Sequence, residues 1–163
     1  HDTLEAGGGS VVADYREHRE LMANLVKRSR FFLVAPGKMN QPEETRGQVE
    51  VPFRFYEGAA GGSVLVGQAP DCELFRETFD WEDVVVPTAP DGSDIAEVLA
   101  GLAKEPERVR EISRRNAAEA LLRHDWMYRW KEVLRMVGLE PLPAMEAREN
   151  RLRELAEMAR SDQ

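Results

Sequence analysis

The stretch from Arg54 to Val66 reads RFYEGAAGGSVLV and joins a helix directly to a strand. Pro52 just before it suits the first turn of a helix, because its fixed φ is helical and its missing N–H has no helical partner there. Gly61-Gly62 then ends the helix, since glycine readily adopts the backbone conformation that closes helices. The apolar run that follows Ser63 is typical of a strand covered on both faces. The stretch therefore predicts a helix through about Ala60 that runs into a buried strand.

The same pattern recurs on either side of this stretch. Residues 31–34 are wholly apolar and end at Pro36-Gly37, and residues 84–86 end at Pro87 and the Pro90-Asp91-Gly92 turn. Helical spacing separates these runs, and short apolar strands that alternate with helices predict an α/β fold. We therefore expect a Rossmann-like parallel sheet flanked by helices, with the strand at 31–34 covered on both faces.

Residues that recur at helical spacing predict amphipathic helices and the stripe that each one presents. The expected faces are His18, Leu21, Met22 and Leu25 in the first helix, then Ile95, Val98, Leu99 and Leu102, then Val109, Ile112 and Ala120, and last Trp126, Trp130, Val133, Leu134 and Val137. Capping pairs are expected where Asp14 precedes Glu17 and where Asp94 precedes Glu97.

The chain divides into three parts by composition. Residues 1–10 contain a glycine run and predict a flexible linker, with structure starting near Val11. Residues 11–140 form the predicted α/β domain. Residues 141–163 predict a charged C-terminal helix with a thin apolar stripe, which packs on the domain or on a neighbour and offers a route to a homo-oligomer.

Charge and cysteine content exclude several classes. The net charge of −8 disfavours nucleic acid as a partner, because phosphate backbones are held by clustered Lys and Arg. The basic runs Lys27–Arg30 and Arg114-Arg115 are interpreted as cations at helix ends, where they complement the helix dipole. The single cysteine, Cys72, makes no internal disulfide, and no Cys/His cluster has metal-ligand spacing. With no apolar run long enough to span a membrane, a soluble protein in the reducing cytoplasm is expected.

The candidate site follows from topology. Ligands of parallel α/β sheets bind beyond the carboxyl ends of the strands, where the loop at residues 35–50 and the helix after Pro52 are placed. Arg54 and Glu57 lie three residues apart and share a helix face. A carboxylate there accepts hydrogen bonds from a ribose, and a guanidinium pairs with phosphate oxygens. A surface ion pair followed by a plain helix stop is the alternative that spacing alone leaves open.

Residues from about Leu25 to Val137 resemble the end of the C-terminal domain of group 1 glycosyltransferases of the GT-B type. The resemblance is strongest to a bacterial subgroup with an Arg-x-Phe/Tyr-Glu-x-x-Ala-x-Gly motif before a strand, which fits Arg54–Gly62. The helix at 94–102, the helix start at Pro106-Glu107-Arg108 and the run Arg123-His124-Asp125-Trp126 fit the same pattern.

The resemblance implies a donor site. It places Glu57 on the donor ribose and Arg54 on phosphate or beside Glu57, with Gly58 in the same motif. It also places the loop Glu44-Thr45-Arg46-Gly47 on the donor sugar. Here Glu44 lies thirteen residues before Glu57 and Glu50 seven before it, and neither spacing matches the eight of typical members. A five-residue expansion of the loop would preserve the contact of Glu44 with the sugar, so Glu50 ranks below Glu44 and Gly47. Lys38 and Arg46 are either substitute phosphate cations or exposed loop charges.

The implied activity is transfer of a sugar from a nucleotide diphosphate sugar to an acceptor hydroxyl, without a cofactor or an essential metal. An N-terminal Rossmann domain or a second chain would bind the acceptor, whose identity the sequence leaves open. The alternative is a non-catalytic α/β module that binds a nucleotide, or a protein through its charged final helix. A receiver-like domain fits less well, because Ala35-Pro36 follows the first strand where such domains need acidic residues. His124 is interpreted as structural, Trp81 as a lid on the core, and Cys72 as no nucleophile because no histidine lies near it in sequence.

Overall fold

The computed structural model describes residues 14–37 and 42–161, and the expected linker, the expected start at Val11 and Lys38 lie outside them. Along the described residues the elements are α1 (Tyr15–Arg28), β1 (Phe31–Val34), α2 (Pro42–Thr45), α3 (Phe53–Ala60), β2 (Val64–Gly67), α4 (Glu73–Thr78), β3 (Val85–Pro87), α5 (Ile95–Ala103), α6 (Pro106–Arg123), α7 (Trp126–Met136) and α8 (Pro143–Ser161).

The strands form a three-stranded parallel sheet in the order β1-β2-β3. Helices flank this sheet, which confirms the predicted α/β class and the Rossmann-like arrangement. The central strand β2 is buried at every position. The edge strand β1 differs from the prediction, because Leu33 is 55% exposed. Within the described residues β1 pairs with β2 alone. Although β1 is wholly apolar, its two faces are therefore not both covered, as the exposure of Leu33 shows.

Successive side chains of β2 point to opposite faces, and each face has its own core. Leu65 packs in one cluster with Phe55 and Ala59 of α3 and with Phe75 of α4. Val64 and Val66 pack in the other, which contains Val86, Leu102, Val109 and Ile112. The predicted stripe of α5 packs in this second cluster through Val98, Leu99 and Leu102, whereas Ile95 belongs to neither cluster. In α6, Val109 and Ile112 pack in the second cluster and Ala120 packs in the first.

Two of the predicted apolar stripes are largely exposed in the structure. In α1 the residue that is buried is Val26, whereas Leu21 and Leu25 are more than half exposed. In α7 the buried residue is Met127, whereas Trp126 and Trp130 are 68% and 58% exposed. Helical spacing identifies an apolar stripe, but only the position of neighbouring elements decides whether the stripe is covered. The N-terminal cap of α1 is confirmed, since the Asp14 carboxylate accepts from the backbone N–H groups of Arg16 and Glu17.

Helix α8 packs along α6, which is one of the two placements predicted for the C-terminal helix. Of its predicted apolar stripe, Leu152 is buried at 6% exposure and Leu155 is half-buried, and the neighbouring Ala156 is fully buried. An ion pair between Arg160 and Glu119 on α6 supports it at the C-terminal end. A homo-oligomer that forms through α8 stays a prediction, and Leu152 of its apolar stripe is already buried within the same chain.

Candidate functional site

A cleft of about 590 Å³ opens at the carboxyl edge of the sheet, where parallel α/β proteins bind ligands. Its walls come from the segments that follow all three strands, at residues 35–37, 67–68 and 88–92, and from the first residues of α3 and α5. Most of its lining side chains are apolar, and Arg54 and Asp91 are the charged ones within the described residues. A mostly apolar cleft with a few polar groups is typical of small-molecule sites.

The floor of the cleft depends on a close approach between β1 and β2. Gly67 ends β2 with a φ of +144°, a conformation that glycine tolerates and other residues rarely adopt. A Cβ at this position would lie 1.9 Å from the carbonyl oxygen of Val34. The glycine therefore allows the two strand ends to meet under the cleft.

Two helices begin at this cleft without a side-chain cap. Pro52 is the N-cap residue of α3 and provides no capping side chain. Asp94 precedes α5, but its carboxylate accepts from the backbone N–H of Ala89 at 2.8 Å, so the predicted capping pair with Glu97 does not form. Free backbone N–H groups and the positive end of the helix dipole make such helix starts suited to anions.

The structure separates the two predicted ribose and phosphate ligands. Arg54, in the first turn of α3, lines the cleft, whereas Glu57 lies one turn further along and is not part of the lining. Both side chains are exposed. Within the described part of the chain neither side chain forms an ion pair, so Arg54 and Glu57 do not pair with each other on the surface.

Gly58 has a packing role that the sequence did not indicate. It is buried, and a Cβ there would lie 2.4 Å from Cδ2 of Leu65 and 2.7 Å from Cδ1 of Phe32. Glycine therefore lets α3 lie flat against β1 and β2. Gly58 is not part of the cleft lining, and its expected donor contact stays a prediction.

The loop before α3 is only partly as expected. It contains the single-turn helix α2, and Arg46 and Gly47 after it have φ values of +52° and +77°. Glu44, Arg46 and Gly47 are exposed and lie outside the cleft lining. Glu50, ranked below them, is closer, because it forms an antiparallel bridge with Gly37 on the cleft wall.

Sequence reasoning missed the polar groups that follow β2 and β3. Gln68 donates from Nε2 to the carbonyl oxygen of Thr88 at 2.9 Å and ties the two strand ends together. Asp91 accepts from the side-chain hydroxyl and the backbone N–H of Ser93, and these bonds hold the pKa of its carboxyl below the usual range. Their signal was position, since Gln68 directly follows β2 and Asp91 lies in the loop after β3, but the Pro90-Asp91-Gly92 run was interpreted only as a turn.

The remaining candidates lie away from the cleft. His124 packs against the rings of Tyr56 and Phe79, in accord with the structural interpretation. Trp81 lies against the core, and its Nε1 donates to Oδ1 of Asn116 at 2.8 Å, so its predicted place as a lid is confirmed. Cys72 is half-buried at the start of α4 and packs against the core.

The described residues contain neither a metal site nor a membrane-spanning helix. No group of three His, Cys, Asp or Glu side chains there is placed to hold a metal ion. No helix in the described part of the chain is both long enough and apolar enough to span a membrane.

Comparison with known proteins supports the resemblance at the level of the family. The family model described as "Glycosyl transferase-like" matches residues 6–135, which include the whole sheet and every wall of the cleft. No curated protein and no solved structure matches the chain. Because the family match spans most of the sequence, the chain belongs to the glycosyl transferase-like family.

Proposed function

We propose that the carboxyl-edge cleft binds the nucleoside diphosphate of a sugar donor, and that this chain is the donor-binding half of a group 1, GT-B type glycosyltransferase. The observation that carries the proposal is the position of Arg54 in the first turn of α3, on the wall of a cleft where α3 and α5 both begin without a side-chain cap. A guanidinium beside two helix N-termini is a site for a diphosphate.

The remaining roles follow from the chemistry of the cleft. Its apolar walls, which include Pro36 and Ile95, suit the flat face of a base. Glu57 is proposed to accept from the ribose hydroxyls once the donor extends along α3. Asp91 is a second carboxylate for this role, since it lies on the wall and stays charged at neutral pH. The segment Glu44–Gly47 is proposed to contact the sugar.

In the proposed reaction the bond between the anomeric carbon and the diphosphate oxygen breaks, and a bond from that carbon to the acceptor oxygen forms. The acceptor proton passes to a base, and the nucleoside diphosphate leaves with its charge stabilised by Arg54 and the helix dipoles. The acceptor site and the base are assigned to a partner, either an N-terminal Rossmann domain or a second chain.

A thermal-shift panel of UDP, GDP, ADP, CMP and dTDP tests the proposal. A ligand that binds only the folded protein stabilises it by roughly 2.7 kcal/mol at a hundredfold excess over Kd, which raises the unfolding midpoint by about 3 °C or more. We expect one nucleoside diphosphate to raise the midpoint. No shift with any of them would overturn the proposal.

Two variants with matched controls locate the site. Arg54→Gln and Glu57→Ala should each reduce the shift, because each removes a hydrogen-bonding partner of the nucleotide. Arg19→Gln on α1 and Glu77→Ala on α4 remove the same types of exposed side chain elsewhere and should leave the shift unchanged. An Asp91→Ala variant decides between the two carboxylates. Equal shifts in all variants would place the nucleotide outside this cleft.

A non-catalytic interaction module is the second candidate function. The observation that favours it is the apolar face of α7, where Trp126, Trp130, Val133 and Val137 are all substantially exposed. Contiguous exposed apolar surface of this kind is typical of protein contacts. The nucleotide panel separates the two candidates, since a purely protein-binding module gives no shift with any nucleotide.

A further inference from the structure

A second cleft, of about 340 Å³, lies at the opposite edge of the sheet, where the strands begin. Its cationic lining comes from two segments that are far apart in sequence, namely the end of α1 with the turn that follows it, and α6. The cations are Lys27, Arg28, Arg30, Arg110 and Arg114. Gly61, Gly62 and Ser113 are also part of the lining. The structure thus brings together the two basic runs that the sequence showed as separate.

The helix-dipole interpretation explains only part of this cluster. Lys27 and Arg28 do lie in the last turn of α1. Arg114, however, lies in the middle of α6, so the prediction that it sits near a helix end is wrong. Its neighbour Arg115 turns away and pairs with Glu82 and Glu111.

Carboxylates do not neutralise the cleft. No Asp or Glu is part of its lining among the described residues. Arg110 pairs with Glu107, but Lys27, Arg28, Arg30 and Arg114 form no ion pair in the part of the chain that the structure describes. Clustered like charges repel one another, so an arrangement of this kind in a protein of net charge −8 favours an anionic ligand.

A buried polar network fixes the geometry of the cluster. The hydroxyl of Ser63, which is fully buried, donates to the carbonyl oxygens of Val26 and Ser29 and so ties the end of α1 to the start of β2. The hydroxyl of Ser113 on α6 donates to the carbonyl oxygen of Gly62 at 2.5 Å. Gly61 lies so close to α1 that a Cβ would meet Cγ1 of Val26 at 2.5 Å. The backbones that carry the cations are therefore held in place from within the core.

We propose that this basic cleft is a phosphate-binding site, separate from the carboxyl-edge cleft, in which Arg30 and Arg114 are the principal ligands. Four of its five cations are arginines, and a guanidinium forks onto phosphate oxygens with paired hydrogen bonds. The phosphate group belongs either to a free phosphorylated compound or to a lipid headgroup.

Thermal unfolding in increasing inorganic phosphate tests the site, with potassium chloride at matched ionic strength as the reference. We expect a saturable rise of the midpoint in phosphate that chloride does not produce. The double variant Arg30→Gln/Arg114→Gln should weaken the apparent phosphate affinity about tenfold or more, because each charge-assisted hydrogen bond contributes on that scale. A phosphate effect no larger than that of chloride would overturn the proposal.

Three further variants keep the result specific. Arg135→Gln/Arg151→Gln changes the net charge equally at exposed positions on α7 and α8 and should retain the phosphate effect. Lys27→Gln/Arg28→Gln removes two cations of the cleft that lie on α1 and should also weaken the phosphate effect. This variant replaces the first double variant if that one folds poorly. Arg54→Gln measures any phosphate effect that comes from the carboxyl-edge cleft, where the proposed function places a diphosphate. Loss of the effect in Arg54→Gln, with retention in both basic-cleft variants, would place phosphate in the other cleft and overturn the proposal.

Sedimentation with vesicles distinguishes the two sources of phosphate. One set contains phosphatidylglycerol and phosphatidylcholine in equal amounts, and the other contains phosphatidylcholine alone. Binding to the anionic vesicles that Arg30→Gln/Arg114→Gln abolishes assigns the site to a headgroup. A phosphate effect in solution without vesicle binding assigns it to a free compound. Vesicle binding that survives in the double variant would show a membrane contact elsewhere and count against a headgroup in this cleft.

Discussion

Asn116 and Ser63 are joined by a hydrogen bond across the core, from Nδ2 of Asn116 on α6 to the backbone carbonyl oxygen of Ser63 at 2.9 Å. Both residues are fully buried. Oδ1 of the same amide accepts from Nε1 of the half-buried Trp81, so one side chain satisfies a backbone carbonyl and an indole N–H. This relationship attaches α6 to the start of the central strand and lies directly beneath the basic cleft.

We expect Asn116→Ala to lower the free energy of unfolding by about 2 to 4 kcal/mol, because it leaves a buried carbonyl and a half-buried indole N–H without partners. Urea unfolding measures the change. Asn150→Ala removes an exposed asparagine of α8 and should cost under about 0.5 kcal/mol. In the double variant with Trp81→Phe the two effects should not add, and simple additivity would contradict the shared network.

Gly58→Ala should lower the free energy of unfolding by about 1 to 3 kcal/mol. The added methyl group would overlap Leu65 and Phe32, so α3 has to move off the sheet. Gly101→Ala is the matched control, since it lies within α5 and its Cβ would meet nothing within 4 Å. That control should stabilise the protein by roughly 0.4 to 1 kcal/mol through higher helix propensity. Equal effects at the two glycines would mean that Gly58 is not tightly packed.

His124 is expected to make the protein less stable in mild acid. Both ring nitrogens are buried without a hydrogen-bond partner among the described residues, and burial, with Arg129 and Arg123 nearby, lowers the pKa of His124 to about 4 from 6.5. Between these pH values the unfolded chain binds the proton and the folded protein does not. Stability that is present above pH 6.5 is therefore lost progressively as the pH falls toward 4, by about 2 kcal/mol after allowance for partial exposure.

Urea unfolding of the wild type and His124→Phe from neutral pH to about pH 4.5 checks this prediction. Phenylalanine keeps a ring against Tyr56 and Phe79 but binds no proton. The difference in unfolding free energy between the two proteins should shift in favour of His124→Phe as the pH falls. A difference that is constant with pH would contradict a depressed pKa at His124.

Leu152→Ala should lower the free energy of unfolding by about 2 to 3 kcal/mol, because Leu152 is buried between α8 and α6. Met158→Ala on the same helix removes a side chain that is 59% exposed and should change stability by less than about 0.5 kcal/mol. Similar small effects of both substitutions would show that α8 does not contribute to the folded domain in solution.

The sequence alone was sufficient to predict the class of fold and the edge of the sheet at which the candidate site lies. Apolar runs at Phe31–Val34 and Val64–Val66, separated by helical spacing, predicted parallel strands because the strands of parallel sheets read as nearly continuous apolar runs. Parallel topology then placed Arg54 near the carboxyl edge, where the structure puts it on the cleft wall. The family resemblance added Glu57 as a ribose ligand, which remains to be tested by the nucleotide panel.

Contacts between distant segments were decided by the tertiary structure alone. Spacing defines a stripe on α7 but not whether another element covers it, and Trp126 proved to be exposed. The motif likewise predicted that Gly58 lies beside a ligand. The structure shows that the absence of a Cβ at Gly58 lets α3 pack closely against Leu65. Arg30 and Arg114 lie in one cleft because α1 and α6 both pack at the start of β2. The hydroxyl of Ser63 holds the end of α1 there, and Asn116 holds α6 there. Local propensity and periodicity act over a few residues, whereas such docking is set by the packing of the whole core, which no single segment of sequence contains.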